Sequence, residues 1–161
     1  MSSRKNAPSP APSLTDVALG QRTGYLFIKA GELALRLAED ALAASGLRAR
    51  HFNVMTMINM GRPLSQQEVG DILGIDKNLI VAVIDDLEGR ELVRRERSLE
   101  DRRRYVLELT PKGKRLLKEA YAHVERAERE FLAPLTASEV PALRDALSRI
   151  VAPWWPVKKP R

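Results

Sequence analysis

The stretch from residue 64 to residue 112, LSQQEVGDILGIDKNLIVAVIDDLEGRELVRRERSLEDRRRYVLELTPK, constrains the fold more than any other part of the chain. Ser65-Gln66-Gln67-Glu68 is a capping box, in which the serine hydroxyl takes an orphan backbone N–H and the glutamate reaches back to the cap residue. Val69, Ile72 and Leu73 follow at helical spacing, and Gly74 stands where a helix end needs a residue that tolerates the left-handed conformation. Asp76 is a good N-cap for a second helix, whose buried face is written by Ile80, Val83, Ile84 and Leu87. The outward positions of its first turns are Lys77, Asn78, Val81 and Ala82, with Leu79 nearby.

Gly89 and Arg90 break that helix. Leu92 to Arg97 and Tyr105 to Leu109 alternate as strands, with Val106 facing opposite Tyr105 and Leu107. Arg94, Arg95, Arg97, Arg102, Arg103 and Arg104 crowd this hairpin, against Glu96, Glu100 and Asp101. Two short helices joined by a tight turn and followed by such a hairpin make a winged helix-turn-helix, and its natural partner is duplex DNA. The second helix can enter a major groove, where Asn78 suits an adenine edge and Lys77 a guanine or a phosphate. The guanidinium groups of Arg97, Arg102, Arg103 and Arg104 at a hairpin tip suit phosphates and the strong negative potential of a narrow minor groove, and are expected on the DNA. The formal net charge of +6 favours an anionic partner, although a solvated basic face would give the same count.

The run DILGIDKNLIVAVIDDLEGRELVRRERSLEDRRRYVLELTPKGKRLL resembles the multiple-antibiotic-resistance regulator (MarR) family. It does so through L-G-x-(D/S)-x-(S/N), V-(D)-x-L-E-x-x-x-L-V-x-R, D-x-R and L-T-x-x-G in fixed order, closely over residues 47–120 and more loosely in the flanking helices. The resemblance implies a homodimeric winged-helix transcription regulator, often a repressor released by a small molecule. By position it implies that Lys77 and Asn78 read DNA, that Ser65 and Gln66 touch phosphate, and that Asp101 and Arg103 form the D-x-R of the wing, with the aspartate orienting an arginine. Leu79, Val81, Ala82 and Asp86 stand where many members carry hydroxyl or basic residues. Apolar side chains can meet thymine methyl groups but cannot make bidentate hydrogen bonds to a base.

The rest of the chain fits around this lobe, giving a mostly α fold with a small β-hairpin wing. Residues 1–13, rich in Pro, Ser and Ala, read as a disordered arm. Residues 14–152 read as a single domain, with dimerisation helices over 14–46 and 111–152 and the winged helix-turn-helix over 47–110; residues 153–161 form a Trp/Pro-rich tail. A long helix is expected from Leu14 or Val17 to Ser45, ended by Gly46. It is apolar along Leu26, Ala30, Leu33, Leu37, Ala41 and Ala44 and again along Ile28, Leu35 and Leu42, so one seam serves its own domain and the other a twin subunit. Gly24 and Gly31 inside it point to close helix approach or a bend. A second helix, about Ala49 to Met60, contributes Phe52, Met55, Met57 and Ile58 to the core. Thr110-Pro111 opens a helix that Pro134 ends, with Lys112, Lys114, Arg115 and Lys118 near its start. Thr136 to Glu139 is a second capping box before a last helix to about Val151, unless Ser138 is the true cap. Of Trp154 and Trp155, at least one is expected to pack on the dimer helices.

Function classes narrow accordingly. There is no cysteine, which excludes disulfides and thiol-based sensing. His51 and His123 are too few and too far apart to indicate a metal site, no cofactor is expected, and no nucleophile motif frames a catalytic group. The lack of a signal sequence or long apolar span reads as a cytoplasmic protein without a membrane partner. The expected partners are double-stranded DNA with a pseudo-palindromic operator, a second copy of the chain, and a small-molecule effector in a pocket between the dimer helices and the DNA-binding lobe. Lys29, Arg36, His51 and Met55 are the candidate lining residues, with ordinary core filling and a structural histidine as the alternatives. A regulator without an effector, or a winged helix used to bind protein or single strands, are the competing functions. Wing-tip arginine argues against a protein partner, and the scarcity of exposed aromatics argues against single strands.

Overall fold

The computed structural model describes residues 18–99 and 101–155. The expected arm over residues 1–13, the first residues of the expected long helix, Glu100 and most of the Trp/Pro-rich tail lie outside the described residues. The chain divides into two compact units, residues 1–35 and 36–161. Helices α1 (Thr23–Ala43), α2 (Ala49–Ile58), α3 (Gln66–Leu73) and α4 (Lys77–Gly89) come first, then strands β1 (Val93–Arg97) and β2 (Tyr105–Leu109), then α5 (Pro111–Phe131) and α6 (Glu139–Val151).

Within the first unit the expected continuous helix is interrupted. Residues Ala18–Gln21 form a 3-10 turn, and α1 begins only at Thr23, its first turn closed by the Leu26 N–H donating to the Arg22 carbonyl at 3.1 Å. Gly20 and Gly24 bracket this break, and each weakens a helix interior by up to about 1 kcal/mol relative to alanine. Beyond its chain neighbours and its own helix backbone, nothing lies within 4 Å of a Cβ built at Gly24 or Gly31 among the described residues. Leu26, Phe27, Ile28, Leu33 and Leu35 are all exposed.

The second unit holds the core. Val54, Met55 and Ile58 of α2, Val69 of α3, and Ile80, Val83, Ile84 and Leu87 of α4 are buried together, and Leu117 and Ala120 of α5 join them. Val54 is the member that helical spacing did not single out. Phe52 is only half buried, its ring edge-on to Tyr121 of α5 at 5.0 Å. Strands β1 and β2 pair antiparallel, Val93 opposite Leu109 and Arg97 opposite Tyr105. Directly opposed residues share a face. Val93, Arg95, Leu107 and Leu109 therefore lie on one side, while Val106 lies on the other, opposite Glu96, and is buried there as well. Leu64 adds a one-residue third strand, its carbonyl accepting from the Leu107 N–H at 2.8 Å. This bridge ties the start of α3 directly to the wing.

The helix ends follow the sequence signals. Gly74 caps α3 at φ 63°, and Thr110 caps α5 with its hydroxyl accepting from the Gly113 N–H at 3.0 Å. Gly113 is also where α5 meets the sheet: a Cβ there would stand 2.0 Å from the Leu92 carbonyl oxygen, so no side chain fits. Glu91, between α4 and β1, takes the left-handed conformation at φ 59° without being a glycine, which the sequence did not announce. Helix α5 ends at Phe131, three residues before Pro134. Only half of the Thr136 box forms: Glu139 accepts from the Thr136 N–H at 2.8 Å and hydroxyl at 2.7 Å, but the Glu139 N–H goes to the Thr136 carbonyl and not to its hydroxyl, and Ser138 occupies the cap position itself. No residue of α6 is buried, and Leu143, Leu147 and Ile150 are exposed. Among the described residues no helix is long and apolar enough to cross a membrane.

Candidate nucleic-acid interface

The exposed start of α4 is prepared by its cap. The Asp76 carboxylate accepts from the Asn78 N–H at 2.9 Å and the Leu79 N–H at 3.4 Å, which satisfies orphan donors without using any outward side chain. Lys77, Asn78, Leu79 and Ala82 are exposed and Val81 is half buried. The outward set expected from the sequence is thus displayed by α4, with an apolar patch of Leu79, Val81 and Ala82 beside two polar groups.

The preceding helix is more committed. The Ser65 N–H and hydroxyl both donate to Glu68 Oε2 at 2.7 Å, and the same hydroxyl accepts from the Glu68 N–H at 3.3 Å. Arg104 Nη2 donates to that carboxylate oxygen at 2.9 Å, so a wing residue grips the cap of α3. Burial pushes the Glu68 carboxyl up, but the Ser65 bonds and the Arg104 guanidinium outweigh it and hold the group below its ordinary value.

Arg95 is the hub between wing and helices. It shares the inward face of β1 with Val93, and its guanidinium donates to Asp85 Oδ1 at 2.6 Å, to Glu88, and to Gln66 Oε1 at 3.0 Å. The Asp85 hydrogen bond, working against partial burial, holds its pKa above the usual guanidinium value. Gln66, expected at a phosphate, thereby commits its carbonyl oxygen to Arg95. On the outward face Arg94 pairs with Glu108 at 2.8 Å and Glu96 at 3.2 Å. Three of the wing's six arginines are therefore tied to carboxylates.

The other three are not. Arg102 and Arg103 are exposed with no ion pair among the described residues, and Arg97 lies over the Tyr105 ring at 5.8 Å without a carboxylate partner among them. Asp101 accepts from the backbone N–H of Arg103 at 3.0 Å, so it shapes the turn that presents Arg103, and it pairs with no guanidinium among the described residues. The tip thus holds uncompensated cations on a hydrogen-bonded scaffold, an arrangement suited to a polyanion.

The effector candidates are dispersed in role. Met55 is completely buried in the core. His51 Nδ1 accepts from the Arg48 N–H at 3.2 Å, which caps α2, while Nε2 faces Asp86 Oδ2 of α4 at 3.4 Å. Burial lowers its pKa, and the nearby Arg90 adds to that against the pull of Asp86. Asp86 also meets Arg90 at 3.6 Å, and Arg90 donates to the Gly46 carbonyl at 3.0 Å, so the end of α4 is fastened to the turn before α2. Lys29 pairs with Glu32 at 2.8 Å and lies over the Tyr25 ring, and Arg36 is exposed. Neither the Arg95 hub nor the His51–Asp86 link was anticipated. Strand alternation placed Arg95 with Val93 and was the signal available for the first; the second depends on how two helices cross.

Comparison with known proteins agrees with this geometry. The MarR family profile matches residues 45–104. A putative transcriptional regulatory protein for the hcr operon of Thauera aromatica is 30% identical over 91% of this chain and 92% of its own length. CouR from Rhodococcus jostii RHA1, solved bound to p-coumaroyl-CoA, is similar with a TM-score of 0.75 and 31% identity over 83% of this chain and 94% of that one. The repressor CouR solved on a 23-mer DNA duplex gives a TM-score of 0.76 at the same identity and coverage. With a capped helix-turn-helix, an arginine-bearing wing and these relatives, the chain belongs to the MarR family of DNA-binding transcriptional regulators.

Proposed function

We propose that the protein works in the cytoplasm as a homodimer that represses transcription from a pseudo-palindromic operator and is released by a small molecule. The observation that carries the DNA-binding part is the division of the wing arginines: Arg94, Arg95 and Arg104 brace the wing, while Arg97, Arg102 and Arg103 are left for phosphates and the minor groove. In this reading Lys77 and Asn78 meet base edges, and Leu79, Val81 and Ala82 meet thymine methyl groups. Ser65 and the amide N–H2 of Gln66 approach a phosphate, and Asp101 orients the tip. Dimerisation through helices in 14–46 and 111–152 would cover the exposed leucines of α1 and α6, which a single chain leaves in water.

Release by an effector is supported by CouR, solved both with an acyl-CoA and on DNA. The His51–Asp86 contact offers this chain a route, since a ligand that moves α2 would also move the end of α4. Such a ligand acts only if it favours one spacing of the two recognition helices over the other. Arg36, His51 and Met55 are the residues of the second unit proposed for that site. Sequencing duplexes enriched by the protein from a random pool tests the reading directly. Two inverted half-sites about 10 base pairs apart are expected for a two-fold dimer; a single unpaired site, or no enrichment at low salt, would overturn it.

A further inference from the structure

The tip of the wing carries one residue that charge alone does not explain. Leu99 is 101% exposed, more than any other large apolar side chain among the described residues. Its neighbours are ordered around it. The Ser98 N–H donates to the Arg104 carbonyl at 2.9 Å, the Arg104 N–H to the Asp101 carbonyl at 2.9 Å, and the Asp101 N–H to the Ser98 hydroxyl at 3.3 Å. Ser98 is buried by this closure, and the next residue is turned outward. Leu99 is thus an apolar side chain held at the apex of a small hydrogen-bonded loop, with the uncommitted cations Arg97, Arg102 and Arg103 within four residues of it.

We propose that Leu99 is an apolar wedge that enters the minor groove and pries at one base step while the flanking arginines hold the phosphate walls. Minor-groove proteins insert leucine and similar side chains between base pairs in this way, at a cost in stacking that is least at flexible pyrimidine–purine steps. The inference rests on the DNA-binding reading above. It adds a specificity that needs no hydrogen bond to a base: operators with a TA or CA step under the wing are favoured because they open at lower cost. Leu99 makes no contribution to the core, so its substitution leaves the fold intact.

The test compares the full chain with Leu99→Ala and Leu99→Lys on a duplex from the enriched pool, carrying 2-aminopurine in turn at each step under the wing. The wild type should raise the fluorescence at one step, and Leu99→Ala should abolish that rise and bind about tenfold more weakly, as for loss of a buried leucine. Its affinity should fall by the same factor at every salt concentration, because every phosphate contact is kept. Leu99→Lys should regain affinity at low salt with a steeper salt dependence, yet fail to open the step. Leu99→Ala binding within twofold of wild type, or no fluorescence rise with the wild type, overturns the wedge. Failure of the wild type to bind any duplex overturns the DNA-binding reading itself, and the two failures are told apart by that one measurement.

Discussion

Arg104 of the wing and Glu68 of α3 are joined at 2.9 Å, and the same carboxylate oxygen takes two bonds from Ser65. One oxygen thus serves both in the cap of α3 and as the anchor of the hairpin. Its pKa is held below the ordinary value in the folded chain. A carboxyl with a depressed folded value contributes stability that is complete above its unfolded value and is lost as pH falls through the folded one. Glu68→Gln should therefore flatten the decline of the urea unfolding midpoint on acidification below about pH 4.5, the unfolded range of a glutamate. An unchanged slope would show that the anchor is not ionic.

The division of the arginines predicts two kinds of loss. Arg95→Ala removes the hub to Asp85, Glu88 and Gln66 and should lower stability by about 1 to 3 kcal/mol, with the salt dependence of DNA binding unaltered. Arg102→Ala with Arg103→Ala should leave the unfolding midpoint within about 0.5 kcal/mol of wild type. The double variant should also make the salt slope shallower by up to about 0.9 for each phosphate that the wing no longer neutralises. Thermal unfolding and binding titrations from 50 to 200 mM salt, roughly the range over which such contacts weaken, decide the matter. If Arg95→Ala reduced the slope as the double variant does, Arg95 would be leaving its carboxylates for the DNA.

Local rules were enough to read the lobe. The capping residues Ser65, Asp76 and Thr110 act through neighbours two or three positions away, and each forms the bond its position dictates. The buried stripe of α4 is periodic and equally plain. What the sequence did not disclose depends on elements far apart in the chain: Leu64 pairing with Leu107, Arg90 reaching the Gly46 carbonyl, His51 facing Asp86. Counting arginines in the wing gave the sign of the partner but not their division, because a guanidinium's role is set by which carboxylate the fold brings beside it. The expected helix runs across residues 20–24, Gly-Gln-Arg-Thr-Gly, where no apolar residue sustains the spacing and where the 3-10 turn gives way to α1.

Asn78 is exposed on the first turn of α4, its backbone N–H held by Asp76 and its side chain turned to solvent. If it reads an adenine edge, Asn78→Ala should narrow the gap between operator and random duplex by about 1 to 3 kcal/mol and leave stability untouched. Competition titrations with the two duplexes measure that gap. Equal losses on both would assign Asn78 to a phosphate.

His51 gives a second, milder pH dependence. Its folded pKa lies below the ordinary value, chiefly because burial disfavours the imidazolium. The unfolded chain then takes up a proton first as pH falls, so this residue costs stability below about pH 6.5 and is neutral above it. The unfolding midpoint of the wild type should drop between about pH 7.5 and 5.5 by more than that of His51→Gln, whose amide can still accept from the Arg48 N–H. Parallel curves would mean that the imidazole takes up its proton alike in the folded and unfolded chain, and a smaller drop for the wild type would mean that Asp86 holds it charged.

Gly113 sets how closely α5 approaches the sheet. The Leu92 carbonyl already accepts from the Thr110 N–H at 3.1 Å, and a Cβ at residue 113 would fall 2.0 Å from that oxygen. The obstacle is backbone, which cannot rotate aside as a side chain would, so the helix must shift and loosen Leu117 and Ala120 in the core. Gly113→Ala gains helix propensity of up to about 1 kcal/mol but should lose more to overpacking, which costs about 1 to 3 kcal/mol when relief comes only from backbone movement. Gly89, with nothing within 4 Å, is the control: Gly89→Ala, in the last turn of α4, should be neutral or stabilising. A net gain for Gly113→Ala, read from urea midpoints of the two variants, would show that α5 does not rest on the Leu92 carbonyl.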